Sequence, residues 1–231
     1  MIENKIYICG GETINGDLSK RLEMFDYEKN AWTELAPMQN ELALFGMTTL
    51  NENIFVAGGR GKTKIHSSVW KYSPQTNNWT EVKEMNKKRK SPELVTLNDK
   101  IYAIGGEFTK NVECYNSTTD EWSYVASTNN IHNWFGATLH QNKIFILSHN
   151  GFEVYDPNSN TWEDLPKLDI GRGTQLVSIN DKLWAVGGGE AINKGTASKT
   201  VYEFDENNNS WNKLPDMDVA RLHHRAVVVN F

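Results

Sequence analysis

Apolar residues recur in short runs along this chain, and five of the runs share one frame. Ile6-Tyr-Ile-Cys-Gly-Gly11, Ile54-Phe-Val-Ala-Gly-Gly59, Ile101-Tyr-Ala-Ile-Gly-Gly106 and Leu183-Trp-Ala-Val-Gly-Gly188 each join four apolar positions to a glycine pair. Ile144-Phe-Ile-Leu-Ser-His149 keeps the apolar part and loses the glycines. Downstream of each run an aromatic residue is followed seven positions later by tryptophan: Phe25/Trp32, Tyr72/Trp79, Tyr115/Trp122, Tyr155/Trp162 and Phe204/Trp211. Self-similarity at a fixed period marks a repeat architecture and is read before any local structure.

Within one repeat the periodicity is that of strands. Leu94-Val-Thr-Leu97 leads to a polar turn at Asn98-Asp-Lys100, then to the strand that ends at Gly105-Gly106. A loop follows, then the strand Val112-Glu-Cys-Tyr115, a second polar turn, and a short strand at Trp122. Four short antiparallel strands, A to D, in each unit of 39 to 48 residues fit a propeller blade. Paired glycines permit positive φ and close approach of a neighbouring backbone. The large aromatics of strands C and D suit the wedge between adjacent blades.

Apolar strand, Gly-Gly, aromatic, six residues, Trp: this resembles the kelch repeat, and the likeness covers essentially the whole chain. The tandem order is similar to the substrate-receptor half of kelch-like BTB proteins. The resemblance, with the five repeats counted here, implies an all-β fold: a β-propeller of five four-stranded kelch blades, forming one domain over residues 1–231. The final run, Arg225-Ala-Val-Val-Val-Asn-Phe231, reads as the strand A that the first blade lacks. Pairing the two ends would remove open sheet edges. Two departures stand out. The fourth unit has Ser148-His149 where the others have Gly-Gly, and five units are counted where kelch-like proteins usually have six. A five-bladed ring is expected, although loss of one whole repeat would leave the same ends. No BTB or BACK region is read, so cullin machinery enters only if upstream domains exist.

Composition adds little to the picture. The chain has 231 residues, a net charge of −5 and two cysteines, Cys9 and Cys114, both in apolar runs and expected as buried thiols. The first residues do not read as a secretory signal, and no apolar segment reaches the ~18 residues needed to span a bilayer. The expected compartment is the cytoplasm, with Lys87-Lys-Arg-Lys90 more readily a solvated loop than a nuclear signal. Three glycosylation sequons, at Asn78, Asn116 and Asn208, read as chance matches in an Asn-rich chain. Gly58-Gly-Arg-Gly-Lys-Thr63 resembles part of a phosphate loop, but it lacks the first glycine and does not open a helix. None of the six histidines has a metal-binding spacing, and no serine-histidine-acid set has a local signature. No cofactor, metal, nucleic acid or membrane is expected.

Meander geometry places the B–C and D–A connections on one side of each sheet and the A–B and C–D turns on the other. Charge divides unevenly between them, +7 on the first side and −12 over the rest of the chain. Such a field should attract acidic segments. The candidate partner-binding residues on that side are Arg60, Lys62, Lys64, Lys88, Arg89, Lys90, Arg172 and Arg221, with Trp134 as an aromatic anchor. His223 and His224 would add charge in mild acid if exposed. The expected function is a protein-interaction module that recognises an acidic peptide or loop. By resemblance it would be the substrate receptor of a cullin ubiquitin-ligase adaptor or an actin-binding kelch protein, and not an enzyme. The alternative is a sugar-modifying or metal-dependent kelch enzyme with a site at the propeller axis.

Overall fold

Nineteen strands account for the regular structure of the computed structural model, which describes residues 2, 5–189, 196–222 and 224–228. They form five antiparallel sheets, each a meander in chain order. The first holds β1 (Lys5–Cys9), β2 (Leu22–Asp26) and β3 (Ala31–Leu35); the second holds β4 (Gly46–Leu50), β5 (Asn53–Ala57), β6 (Val69–Ser73) and β7 (Asn78–Val82). The third comprises β8 (Glu93–Leu97), β9 (Lys100–Ile104), β10 (Val112–Asn116) and β11 (Glu121–Val125). The fourth comprises β12 (Gly136–His140), β13 (Lys143–Ser148), β14 (Gly151–Asp156) and β15 (Thr161–Leu165). The fifth comprises β16 (Gln175–Ile179), β17 (Lys182–Val186), β18 (Val201–Asp205) and β19 (Ser210–Leu214). This is the kelch-type, five-bladed β-propeller class that the repeats predict. Of the expected closing strand, 225–228 are described and carry no strand assignment, and 229–231 lie outside the described residues.

The described residues fall into two compact units, one of residues up to 103 with 113–123, the other of 104–112 and 124–228. In the first, Ile54, Val56, Tyr72 and Trp79 pack with Leu22, Met38 and Leu42, while Phe55, Ala57 and Val69 pack with Ile101, Tyr115 and Trp122. In the second, Phe145, Phe152, Leu176, Leu183 and Phe204 enclose Leu168 and Ile170. The A–B hairpins turn on two successive positive-φ residues, as at Asn98 (50°) and Asp99 (55°). That is the two-residue turn whose twist matches its strands, and it explains the Asn/Asp content there.

The glycine pair has a definite task. At Gly58 (φ 69°) a Cβ would lie 2.6 Å from the Arg89 carbonyl oxygen, and the Gly59 N–H donates to that oxygen at 2.8 Å. The equivalent bonds run from Gly11 to Leu42 and from Gly188 to Arg221, each at 2.9 Å. Each pair thus tethers the D–A strap entering or leaving its blade. The fourth sheet dispenses with the pair because β13 continues through Ser148 and β14 starts again at Gly151, so no long B–C loop departs there.

The seven-residue aromatic spacing is a cross-strand pairing, with Tyr72 opposite Trp79, Tyr155 opposite Trp162 and Phe204 opposite Trp211. Each tryptophan then latches onto the strap of the preceding blade. Trp79 Nε1 donates to the Ala36 carbonyl at 2.8 Å, while Ala36 N–H donates to Asn77 Oδ1 at 2.9 Å. Lys83 is held in the same two ways by Trp122 and Asp120, and Ala126 by Trp162 and Asn160. A tyrosine hydroxyl donates to the same acceptor each time: Tyr72 to Asn77, Tyr115 to Asp120, Tyr155 to Asn160. Two sites differ. Trp211 donates to Pro166, which has no N–H to return, and its partner Phe204 has no hydroxyl. Trp32 is 52% exposed, unlike Trp79 at 7%, so the expectation that every repeat tryptophan is core fails there.

Candidate protein-binding loops

In the first unit, six of the predicted cations sit on two connections that are bonded together. The hairpin Gly59–His66 closes through Gly61 N–H to the Lys64 carbonyl and His66 N–H to the Gly59 carbonyl. Arg89 N–H then donates to the His66 carbonyl at 3.0 Å, drawing the segment Lys88–Lys90 against the loop that carries Arg60, Lys62 and Lys64. Burial lowers the His66 pKa first, and the charges of Lys64 and Lys88 lower it further, which shows that these two lysines share one neighbourhood. Lys62, Lys64 and Lys88 are exposed, and Lys90 and Arg60 are half-buried. Two of the cations already have acids. Arg60 meets Glu12 at 2.6 Å and Lys62 meets Glu41 at 2.6 Å, so an acidic ligand must exchange with these carboxylates. Ion pairs this exposed are weak because water screens them, so such exchange is easy.

Arg89 does not belong to that group. It is 1% exposed, and its Nε and Nη2 donate to Glu113 Oε1 at 3.2 and 2.8 Å. The remaining Glu113 oxygen accepts the Asn86 N–H at 2.7 Å. The guanidinium ties the strap to β10 and cannot greet a partner. The expectation of an exposed Arg89 failed because its carboxylate lies 24 residues downstream on another strand.

In the second unit the structure brings Trp134, Arg172 and Arg221 into one hydrogen-bonded row of loops. Gly173 N–H donates to the Trp134 carbonyl at 2.7 Å, Gly189 N–H to Arg172 at 2.8 Å and Gly188 N–H to Arg221 at 2.9 Å. Consecutive glycines therefore anchor the backbones of the two arginines, one on the strap that enters the fifth sheet and one on the strap that leaves it. Both arginines are exposed, whereas Trp134 is half-buried with φ +52°. His223 lies outside the described residues. His224 is half-buried, and burial followed by the Arg221 charge pushes its pKa below the usual 6.5. It therefore resists charging in mild acid, contrary to the expectation. Sequence reasoning missed Phe108, which is 80% exposed at φ +60°. Its N–H donates to the side chain of Asn133, the neighbour of Trp134. A phenylalanine placed in a B–C loop, outside every strand, was the available signal.

Two serine-histidine-glutamate arrays appear that have no local signature. His132 links Ser148 Oγ (2.8 Å) to Glu153 Oε1 (2.8 Å), and His140 links Ser178 Oγ (2.8 Å) to Glu206 Oε1 (2.8 Å). The His132 and Glu153 side chains have no exposure, so the first array braces a strap as Arg89–Glu113 does in the preceding repeat. Burial raises the Glu153 pKa, but bonds from His132 and from the Asn129 N–H outweigh it and leave the carboxyl below its ordinary range. In the first unit a cleft of about 560 Å³ is bordered by Lys83, Asn86, Lys100 and Cys114. Burial pushes the Cys114 thiol up, away from a nucleophilic thiolate. Among the described residues no three His, Cys, Asp or Glu side chains form a metal-holding group.

Repeat pattern, glycine-pair tethers and five meander sheets define a kelch-type propeller. The Attractin/LZTR1 beta-propeller model matches residues 6–230, and the chain belongs to that family. Among its relatives is Kelch-like protein 40 of Xenopus laevis, 35% identical over an alignment that covers 80% of this chain and 34% of that protein. Kelch-like protein 30 of Homo sapiens is 36% identical over 200 residues, again covering 34% of the relative. The chain thus spans about a third of the length of these relatives.

Proposed function

We propose that this propeller recognises a partner protein through its B–C and D–A loops, and that the recognised element is an acidic segment. The observation that carries this reading is the pair Arg172 and Arg221, both exposed and both anchored to the one glycine pair through the Gly189 and Gly188 N–H groups. A planar guanidinium grips a carboxylate with two parallel hydrogen bonds, so arginines suit an acidic peptide better than lysines would. Phe108 and Trp134 on the same unit supply the aromatic contact area on which interface energy concentrates. Kelch-like relatives support binding of a protein partner; on this reading the chain receives the substrate of a cytoplasmic adaptor, and a cullin link would require BTB-type sequence elsewhere in the gene product. The test is calorimetric titration of acidic and basic peptide libraries against the parent and Arg172→Glu/Arg221→Glu. The double variant should weaken acidic-peptide binding at least about tenfold, and added salt should weaken the parent. Acidic-peptide binding indifferent to both would refute the reading, and co-sedimentation with filamentous actin would redirect it.

A further inference from the structure

At the seam between the fourth and fifth sheets the latch is half made, and its unused half faces a cleft. In three repeats the residue two before the tryptophan accepts a strap N–H and a tyrosine hydroxyl. The corresponding residue in the fifth repeat is Asn209, also at positive φ (50°). Its strap residue is Pro166, without an N–H, and its aromatic is Phe204, without a hydroxyl. Both donors that satisfy Asn77, Asp120 and Asn160 are thus missing by chemistry. Asn209 instead borders a cleft of about 250 Å³.

The lining of that cleft has a clear polarity. Phe145, Val154, Leu165 and Phe204 make its floor. Glu163 and Glu206 stand at its rim; His140 Nε2 fixes one Glu206 oxygen at 2.8 Å. The rim lysine, Lys143, is engaged by Asp156 at 3.3 Å. These groups lie beside the A–B and C–D turns, opposite the arginine-bearing loops and in the part of the sequence that carries −12. An apolar floor below carboxylates matches a side chain with a methylene stem and a cationic head.

We propose that this cleft is a second binding site, which takes an arginine or lysine of a basic segment in a partner protein. The stem lies on Phe145 and Phe204, the head reaches Glu163 and Glu206, and the segment's backbone N–H supplies Asn209 with the donor that Pro166 lacks. The proposal does not depend on the acidic-segment reading, because different loops and the opposite charge carry it.

The experiment titrates the full chain with acetylated hexapeptides rich in Arg, Lys and Leu, and with acidic hexapeptides as controls. Glu163→Lys, at an exposed position, should weaken basic-peptide binding about tenfold and leave acidic-peptide binding unchanged. Pro166→Ala/Phe204→Tyr restores both missing donors. It should close Asn209 into a latch, weaken basic-peptide binding about tenfold and leave the melting temperature equal or higher. Failure of the parent to saturate with any basic peptide, or binding by both variants equal to the parent, would overturn the proposal.

Discussion

The strap from Lys83 to Pro92 and the strap from Pro166 to Thr174 both bury a side chain two residues in, Met85 or Leu168, but differ in what else holds them. The first is pinned by polar bonds: Lys83 by Asp120 and Trp122, Asn86 and Arg89 by the buried Glu113. The second has no N–H at its first residue and relies on Leu168 and Ile170, buried in the core of its unit. A carboxylate can hold its strap only while every partner is in place, whereas apolar packing weakens gradually as atoms are removed. Equivalent positions in one repeat family therefore differ in how abruptly they fail.

The largest expected effect comes from the polar strap. Arg89→Ala leaves Glu113 buried without its counter-charge and should cost about 3–5 kcal/mol in urea denaturation. The apolar replacement Arg89→Met/Glu113→Leu should cost less, about 2 kcal/mol, since it removes both charges together and leaves only the Asn86 and Lys87 N–H groups short of an acceptor. A single substitution as mild as the double one would break the comparison.

The tryptophans sharpen it at the next level. Trp122→Ala deletes a buried ring and a complete latch, for about 4 kcal/mol. Trp211→Ala deletes a half-buried ring with one bond and should cost about 2 kcal/mol. Equal losses would mean that the missing half of the fifth latch is energetically silent.

The smallest effect is with pH. His224 and His66 have pKa values lowered by burial, so the unfolded chain takes the proton first. Stability is full above about pH 6.5 and declines as the pH falls below it. Glu153 and Asp120 have lowered values, so their contribution is present above about pH 4.5 and is lost as the pH falls through their folded values. Melting temperatures should therefore decline gently from pH 7 to 5 and steeply below 4. A flat profile from pH 7 to 5 would remove the two histidines from the account.

Most of the fold was legible because its signals are local. The glycine pair and the seven-residue aromatic spacing follow from one hairpin's geometry, and Tyr155 does sit opposite Trp162. The candidate loops were half legible. Hairpin logic put Arg172 and Arg221 on one side, and the backbone bonds join them through Gly188 and Gly189. It did not foresee Arg89 turning inward to Glu113, nor Glu12 and Glu41 reaching Arg60 and Lys62 from other connections. Charge counts assign residues to sides, but burial depends on tertiary partners many residues away. Ser148, His132 and Glu153 were invisible as a set for the same reason.

The latch also sets a grammar for exchanging repeats. A blade whose aromatic is tyrosine fits a strap that opens with an N–H, as Tyr115 does with Lys83, while Phe204 follows a strap that opens with proline. A duplicated or grafted repeat placed after the wrong strap would carry either a carboxamide short of its donors or a hydroxyl without its shared acceptor geometry. Growth of such a chain by copying is thus constrained at one residue and one aromatic per junction. A blade transplanted with the strap before it should be tolerated better than the same blade moved alone.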